Sequence, residues 1–497
     1  MKKNQIKKIA TLLIGGVGFN VLFWSESLGV NLLLFSLFLI GIGIAFHHES
    51  VKSKPVLISA SGILFTALMV VYHNSFMAKF TCMTSIILFV GFLNQIELKA
   101  IFHAIPTSIW NLGMAPVGIW EHLIPSSKKE IINKKHLRTL KIVIIPILFF
   151  MLFYVIFLFS NPVFAKYSTE FWETIGIWIQ GVFENISMGW IFMFLLGLCL
   201  VAWVLFKFDL NYFLKIEQGR HHDITRAVIK KKRTNILFKN LDLKNEYRSA
   251  LYLIVSINAL LLLINIIDVS SLWFNFEYDE SMNLSKFVHE GTYLLILSIL
   301  LSIGILLYFF RKNLNFYFKK KTLNVLATIW IFQNLILVIS VAVRNYHYIH
   351  NFGLAYKRIG VIIFLIATVV GLITLFIKIS KRKSSYFLIL VNSWHVYFLL
   401  IVMSFVNWDS IIINHNINHS NKINIDVEFL LSLSDKTLPV LVEKQVELNL
   451  DREELRILDY RIYKFKSRMK NTSWKSWNYA EQKALDKLNN LQLNYER

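Results

Sequence analysis

The chain has 497 residues, 55% of them hydrophobic and 17% charged, with a mean hydropathy of +0.52. Soluble domains are roughly 45–50% apolar and about 25% charged, so an ordinary soluble fold is excluded. A net charge of +22 suits a nucleic-acid binder only when it is gathered on a soluble face. Here it is spread over short segments between apolar runs, as the positive-inside rule produces, and no nucleic-acid partner is expected.

In chain order, the apolar runs predict spans at approximately 9–24, 28–46, 55–72, 78–95, 140–160, 188–206, 250–267, 291–310, 323–343, 359–379 and 386–405. Each approaches the ~20 residues that cross a bilayer as helix. The fold class is therefore all-α: a polytopic helical membrane protein with about eleven transmembrane helices and a C-terminal helical extramembrane tail. The first run follows MKKNQIKK and lacks a small-x-small cleavage site, so it reads as a retained helix that also serves as targeting signal. Gly15, Gly16 and Gly18 make it the weakest of the eleven. Segment 100–125 carries Trp110, Trp120, Pro106, Pro116 and Pro125, and reads as interfacial, with the prolines interrupting any long helix. Cys82 and Cys199 both fall inside apolar runs and read as inert core residues, too few for a disulfide framework.

Lys and Arg collect in alternate loops. They stand at Lys2, Lys3, Lys7 and Lys8, at Lys52 and Lys54, and at 128–141. Further groups stand at 226–233, at Arg311, Lys312 and Lys319–Lys321, and at Lys378 and Lys381–Lys383. Segments 161–187 and 268–290 hold one lysine each against three and five acids. The bias places the N-terminus in the cytoplasm and, with eleven spans, the tail outside a bacterial cytoplasmic membrane. Only 344–358, with Arg344, Lys357 and Arg358, departs from the pattern. Loop 207–248 reads either as a basic amphipathic segment on the anionic leaflet, worth about 1 kcal/mol per basic residue, or as a solvated loop. The chain divides into N-terminal helices with an interfacial segment (1–138), a core membrane domain (139–406) and a helical tail (407–497).

In the tail, Ser434-Asp435 precedes Pro439 at a helix start. Asp451 with Glu454 spells a capping box. Leu455, Leu458, Ile462, Phe465 and Met469 form a heptad-like stripe, and Asn478 with Glu481 opens a last helix. The tail reads as a helical hairpin packed on itself or on the membrane domain, or else as a module that binds a protein partner; the lipid bilayer is the other partner expected.

No span carries Asp, Glu, Lys or Arg near its middle, which argues against a proton-relay pump or a voltage sensor. Asn258, Asn265, Gln333, Asn334, Asn392 and His395 lie within spans, where amides ordinarily bond between helices for roughly 0.6 kcal/mol each and otherwise line a cavity. The outer ends of spans carry Asp268, Glu290, Arg344 and Arg358, and the tail opens with Asn407 and Asp409; these six form a candidate functional polar rim. If their helices are neighbours, the acids and arginines pair; if not, they are interfacial anchors. His347 and His350, like His415 and His419, have ligand spacing, but no Cys or acid completes a set. With no G-x-S-x-G or P-loop signature either, no metal, cofactor or catalytic residue is assigned.

Several stretches carry a resemblance: Asn265–Asp268, Phe287–Gly291, Arg344–Arg358, Asn407–Asn416, Leu430–Asp435 and Trp474–Asn478. In their order, across about residues 140–490, the chain resembles an uncharacterised family of bacterial multi-pass membrane proteins, the domain-of-unknown-function 4153/4173 group. Trp408 and Ala355 stand where that family has Pro and Thr, marking a divergent member. The resemblance implies a membrane location and no defined activity. The expected role is transport, envelope homeostasis or signal transfer with the polar rim facing outward. The competing reading is a membrane enzyme acting at the outer face on a lipid-linked or glycan substrate, with His347 or Arg344 at its site.

Overall fold

The computed structural model describes residues 2–123, 146, 149–182, 187–208, 210–224, 243–273, 284–310, 313–419 and 426–495. Among these every regular element is helical, and one isolated antiparallel bridge joins Asp223 to Lys383. Eight helices are long and apolar enough to cross a membrane: Asn4–Phe23, Lys54–His73, Phe76–Asn94, Met188–Leu205, Leu243–Ser271, Lys320–Phe352, Tyr356–Ser380 and Ser385–Ser404. Helices Phe149–Ser160 and Pro162–Ile175 form a pair bent by 117°, and Val30–Phe46 and Leu294–Phe309 are shorter apolar helices. Large apolar side chains such as Leu263, Leu301, Phe332 and Phe398 are exposed along these helices, which suits a lipid surround and would be costly in water. The chain is a membrane protein. The basic segments at 128–141 and 226–233 lie outside the described residues.

The chain forms two compact units. The first comprises Met1–Lys99, His103–Leu214 and Thr472–Tyr479. Its helices are α1 (Lys2–Phe23), α2 (Val30–Phe46), α3 (Lys54–His73), α4 (Phe76–Asn94), α5 (Ile101–Leu123), α6 (Phe149–Ser160), α7 (Pro162–Val182) and α8 (Met188–Leu205). The glycines that weaken α1 as an isolated apolar run let it lie tight against α8. A Cβ on Gly16 would meet Leu198 at 2.6 Å, and one on Gly197 would meet Phe19 at 2.7 Å; such close approach of small residues is a common means of packing helices in lipid. Segment 100–125 departs from expectation. Pro106 and Pro116 lie inside a continuous helix, α5. Neighbouring side chains bond within the helix beside both prolines: Thr107 Oγ1 donates to His103 O at 2.8 Å, and His122 Nδ1 lies 2.9 Å from Gly118 O. Asn111 anchors the helix by donating to Trp203 O and Phe206 O, at 2.6 and 2.9 Å.

The second unit comprises Ala100–Phe102, Lys215–Asn471 and Ala480–Arg497. Its membrane helices are α10 (Leu243–Asp268), α11 (Leu284–Phe309), α12 (Lys320–Phe352), α13 (Tyr356–Ser380) and α14 (Ser385–Ser404), preceded by the short α9 (Asn211–Gln218). Trp330, Ala327, Leu337 and Val341 of α12 stand in the core with Ile254, Leu261, Ile299, Leu306, Leu372 and Leu375. The basic centre of loop 207–248 lies outside the described residues, and residues 217–223 dock on the α13–α14 turn: Tyr386 Oη donates to Glu217 Oε1 at 2.8 Å, Lys383 Nζ reaches Asp223 Oδ1 at 2.6 Å, and Ser384 N donates to His222 O at 2.8 Å. Lys378 is buried, and its Nζ donates to Phe310 O at 2.8 Å just past the C-terminus of α11, where exposed carbonyls favour a cation.

The tail of this unit consists of α15 (Trp408–Asn418), α16 (Val427–Ser432), α17 (Leu438–Glu443), α18 (Arg452–Lys470) and α19 (Tyr479–Tyr495). Asp451 accepts from Glu453 N and Glu454 N while Glu454 accepts from Asp451 N, a complete capping box that starts α18. Leu458, Phe465, Leu430, Leu438, Ala484 and Leu488 form a core that also takes in Leu354 and Ile359 from the α12–α13 turn.

Candidate functional site

The site begins as a ladder of amides between α10 and α12. Asn258 Nδ2 donates to Leu326 O at 3.2 Å and Asn265 Nδ2 donates to Gln333 O at 3.1 Å, each pair separated by 68 positions. Trp273 Nε1 then donates to Ser340 Oγ at 3.2 Å, across 67. From Asn258 to Asn265 both helices advance by seven in the same direction, so α10 and α12 run parallel with their polar positions in register, and the π-helix that carries Trp273 takes one extra residue to reach Ser340. Gln333 Nε2 completes the ladder by donating to Asn258 Oδ1 at 3.1 Å. All four amide-bearing positions of the seam (Asn258, Asn265, Gln333 and Asn334) are buried.

The ladder ends in an ion pair. Arg344 Nη2 donates to Asp268 Oδ1 at 2.6 Å, with side chains 11% and 7% exposed. Asp268 closes α10, and the next five residues, Val269–Trp273, continue as a π-helix. Removing either partner from such a pair strands a buried charge, which typically costs about 3–5 kcal/mol.

Helix α12 continues past Arg344 to Phe352 and turns at Gly353, whose φ is +76°. Among the described residues Arg358 does not meet an acid. Its Nη1 donates to Phe352 O at 2.7 Å and to Gly353 O, its guanidinium lies 4.1 Å from the Tyr348 ring centre, and its own carbonyl accepts from Asn345 Nδ2 at 3.1 Å. The arginine thus closes the C-terminus of α12, where carbonyls lack helical donors.

The tail is fastened to that same turn. Asn416 Oδ1 accepts from Leu354 N at 2.6 Å while its Nδ2 donates to Leu354 O at 3.0 Å. Asn407 caps α15 by accepting from Ser410 N at 3.4 Å. Asp409, in the first turn of α15, receives Tyr356 Oη, Ser434 Oγ at 2.5 Å and Lys436 Nζ at 3.4 Å, with the Lys436 and Asp409 side chains 6% and 8% exposed. Asp435 next door pairs with Arg461 at 2.7 Å and Arg468 at 3.2 Å, and Arg468 reaches Glu481 at 3.3 Å.

Of the six rim candidates, the structure joins Asp268 to Arg344 and places Arg358, Asn407 and Asp409 around the α12–α13 turn. Glu290 lies on α11, and its side chain is outside the described residues. Each histidine pair keeps to one helix: His415 stacks on His419 with centres 4.6 Å apart, and His350 stacks on Tyr346. Among the described residues no group of three or more His, Cys, Asp or Glu is placed to hold a metal ion. Tyr356, Asn345 and Lys436 escape sequence reasoning because each gains its role from a partner 13 to 53 positions away or more.

The first unit contains a second polar cluster, built by Thr472–Tyr479 on the α1–α2 turn. Ser476 Oγ donates to Glu26 Oε2 at 2.5 Å and accepts from Ser27 N at 2.9 Å. Val30 N donates to Trp477 O at 3.2 Å, Lys475 Nζ reaches Glu26 Oε1 at 3.1 Å and Val21 O at 2.9 Å, and Tyr72 stacks on Tyr479 at 5.0 Å. Gly29 is required here, since a Cβ would meet Ser476 O and Trp477 O at 2.5 Å. Burial works to raise the Glu26 carboxyl, but hydrogen bonds from Ser476, Ser473 and Lys475, with the Lys475 charge, outweigh it and hold the group below the ordinary 4.5.

A family model matches residues 19–444. The match begins earlier than the residue-140 start expected from the motifs, and ends before Trp474–Asn478. No curated protein and no solved structure matches the chain. The matched span takes in the membrane helices from the end of α1 onward, the Asp268–Arg344 pair and the Asp409 cluster, and the chain belongs to the family described as Domain of unknown function (DUF4153).

Proposed function

We propose that the protein is a signal-transfer or envelope-homeostasis component of the bacterial cytoplasmic membrane, in which an extracytoplasmic helical tail is coupled to the membrane helices at the α12–α13 turn. The observation that carries this reading is Asp409: a buried carboxylate of the tail that takes donors from the turn (Tyr356) and from the tail (Ser434, Lys436). Buried polar groups of this kind lock one geometry, because a shifted arrangement strands them. Movement of the tail is therefore transmitted to α12 and α13, and through Arg344 to α10.

The topology supports the outward tail. Eight helices are long and apolar enough to cross, or nine with the bent pair taken as one span; this reading also takes the shorter Val30–Phe46 and Leu294–Phe309 as crossings, which makes eleven. With a basic cytoplasmic N-terminus, eleven crossings would leave the tail on the outer side.

The test is complementation in a strain lacking the gene, read as resistance to detergent and osmotic shock. The D409N variant and a chain ending at residue 406 are expected to reach the membrane in normal amounts and fail to restore resistance. Full restoration by both would contradict the coupling role.

A further inference from the structure

We propose that the α12–α13 pair binds a phosphate group between Lys320 and Arg382, at the end remote from Gly353. The two residues come from different elements of the second unit: Lys320 opens α12, and Arg382 lies in the α13–α14 turn. Lys383 N donates to Lys378 O at 2.9 Å and closes α13 with the long bond of a Schellman turn. Arg382 takes the position that such a turn ordinarily gives to glycine, with φ at +52°. From there its guanidinium lies 5.5 Å from the centre of the Phe316 ring, in the 3-10 turn Asn313–Phe316 that leads into α12. Lys320 follows Phe316 by four residues, and its charge and that of Arg382 act on each other.

Among the described residues no acid answers these two charges. Asp223, the acid docked on this turn, is taken by Lys383 at 2.6 Å. Lys320 and Arg382 themselves have no acidic partner. Buried Lys378, four residues before Arg382, adds a third cation, and its Nζ is met by the Phe310 carbonyl rather than a carboxylate. Membrane topology alone accounts for basic residues at a span end, but it asks only for charge. It does not ask for an arginine in a glycine conformation, nor for two cations drawn together with their repulsion unrelieved. A guanidinium and a neighbouring ammonium are the donors that a phosphate takes, the first through paired bonds and the second as a point charge. Such a phosphate belongs either to an anionic lipid headgroup or to a soluble phosphate compound, and the experiment separates the two. This inference does not rest on the coupling role of the tail, since it concerns the opposite end of α12 and α13.

The experiment uses the full chain in phosphatidylcholine nanodiscs, with thermal unfolding as the readout. One arm adds inorganic phosphate against chloride at equal ionic strength. The other replaces part of the lipid with phosphatidylglycerol. At least one arm is expected to raise Tm saturably in the parent protein. A response to phosphatidylglycerol alone assigns a lipid headgroup; a response to both, or to inorganic phosphate alone, assigns a site open to soluble phosphates. R382G separates the site from the fold, because glycine suits the backbone at this turn. The variant is expected to fold normally without the anion and to need about tenfold more of it for the same shift. K320Q is expected to lose response in the same way, and it decides the matter should R382G fail to fold. K381Q removes one exposed charge from the same turn and is expected to respond as the parent does. The proposal is overturned if neither arm shifts the parent, or if R382G or K320Q keeps the full response. It is also overturned if K381Q loses as much as they do, which would mean a diffuse surface charge.

Discussion

Asn416 grips the backbone of Leu354 from both sides, accepting from its N–H at 2.6 Å and donating to its carbonyl at 3.0 Å. A side-chain amide is the one group that offers this paired donor and acceptor in the geometry of a neighbouring strand. Both Leu354 groups are buried, so replacement by Leu leaves two backbone groups without partners at about 1–3 kcal/mol each. N416L is expected to expose the tail to protease while the membrane helices stay protected. Asp at the same position keeps the acceptor and loses the donor, so N416D is expected to fall between the two. Equal protease resistance in all three would contradict the grip.

Gly353 is held by the same contact. Its φ of +76° and ψ of −173° fall in a region essentially reserved for glycine, and a Cβ there would lie 2.6 Å from Asn416 Oδ1. G353A combines backbone strain of about 1–3 kcal/mol with displacement of the Asn416 amide. Hydrogen exchange should show faster opening of 407–418 in this variant, with little change in α10.

The Asp268–Arg344 pair sets a different test. Either D268N or R344Q strands one buried partner and is expected to cost about 3–5 kcal/mol, whereas the double variant removes both charges and should recover a large part of that loss. Thermal unfolding of the four proteins in detergent gives the coupling directly. Additive losses would mean that the two groups act separately.

Two pH effects follow from the first unit. Glu26 is held below its ordinary 4.5, so it contributes stability that is fully present above that value and is lost as pH falls through the depressed folded value. The Thr472–Tyr479 contact on the α1–α2 turn should loosen below about pH 4.5, and E26Q should remove the dependence. His47 is pushed down to about 4 by burial first and the nearby Lys207 second, with its Nε2 placed 3.1 Å from Val204 O. It is neutral at pH 7. The unfolded chain takes up its proton near 6.5 and the folded chain near 4, so stability falls as pH drops through that window. Replacing the ring in H47Q should flatten this part of the profile, measured as Tm against pH.

Much of the architecture is legible in the sequence because it depends on local chemistry. The capping box at Asp451 and Glu454 appears as written, and the apolar runs become helices. Where the reading stops short, the missing information is long-range. Hydropathy ends the ninth span at 343 because Arg344, Asn345, His347 and His350 follow. The helix runs on to Phe352, since Asp268 lies 76 positions upstream to receive the arginine and the Arg358 carbonyl receives the asparagine. The glycines of α1 look like weakness until Leu198 and Val201 are placed against them. Asp268 and Arg344 were conspicuous as charges at apolar boundaries, but nothing local distinguished their pairing from the carbonyl-capping role that Arg358 takes. Ser476 and Glu26, 450 positions apart, gave no signal of each other at all.

Impermeant maleimide labelling of intact cells tests the proposed outward placement of the tail most directly. Single cysteines are placed at exposed positions in a C82S/C199S background: S25C on the turn, K464C on the tail and K52C before α3. S25C and K464C are expected to label in intact cells, and K52C only after permeabilisation. Labelling of K52C without permeabilisation, or protection of K464C while S25C reacts, would contradict it.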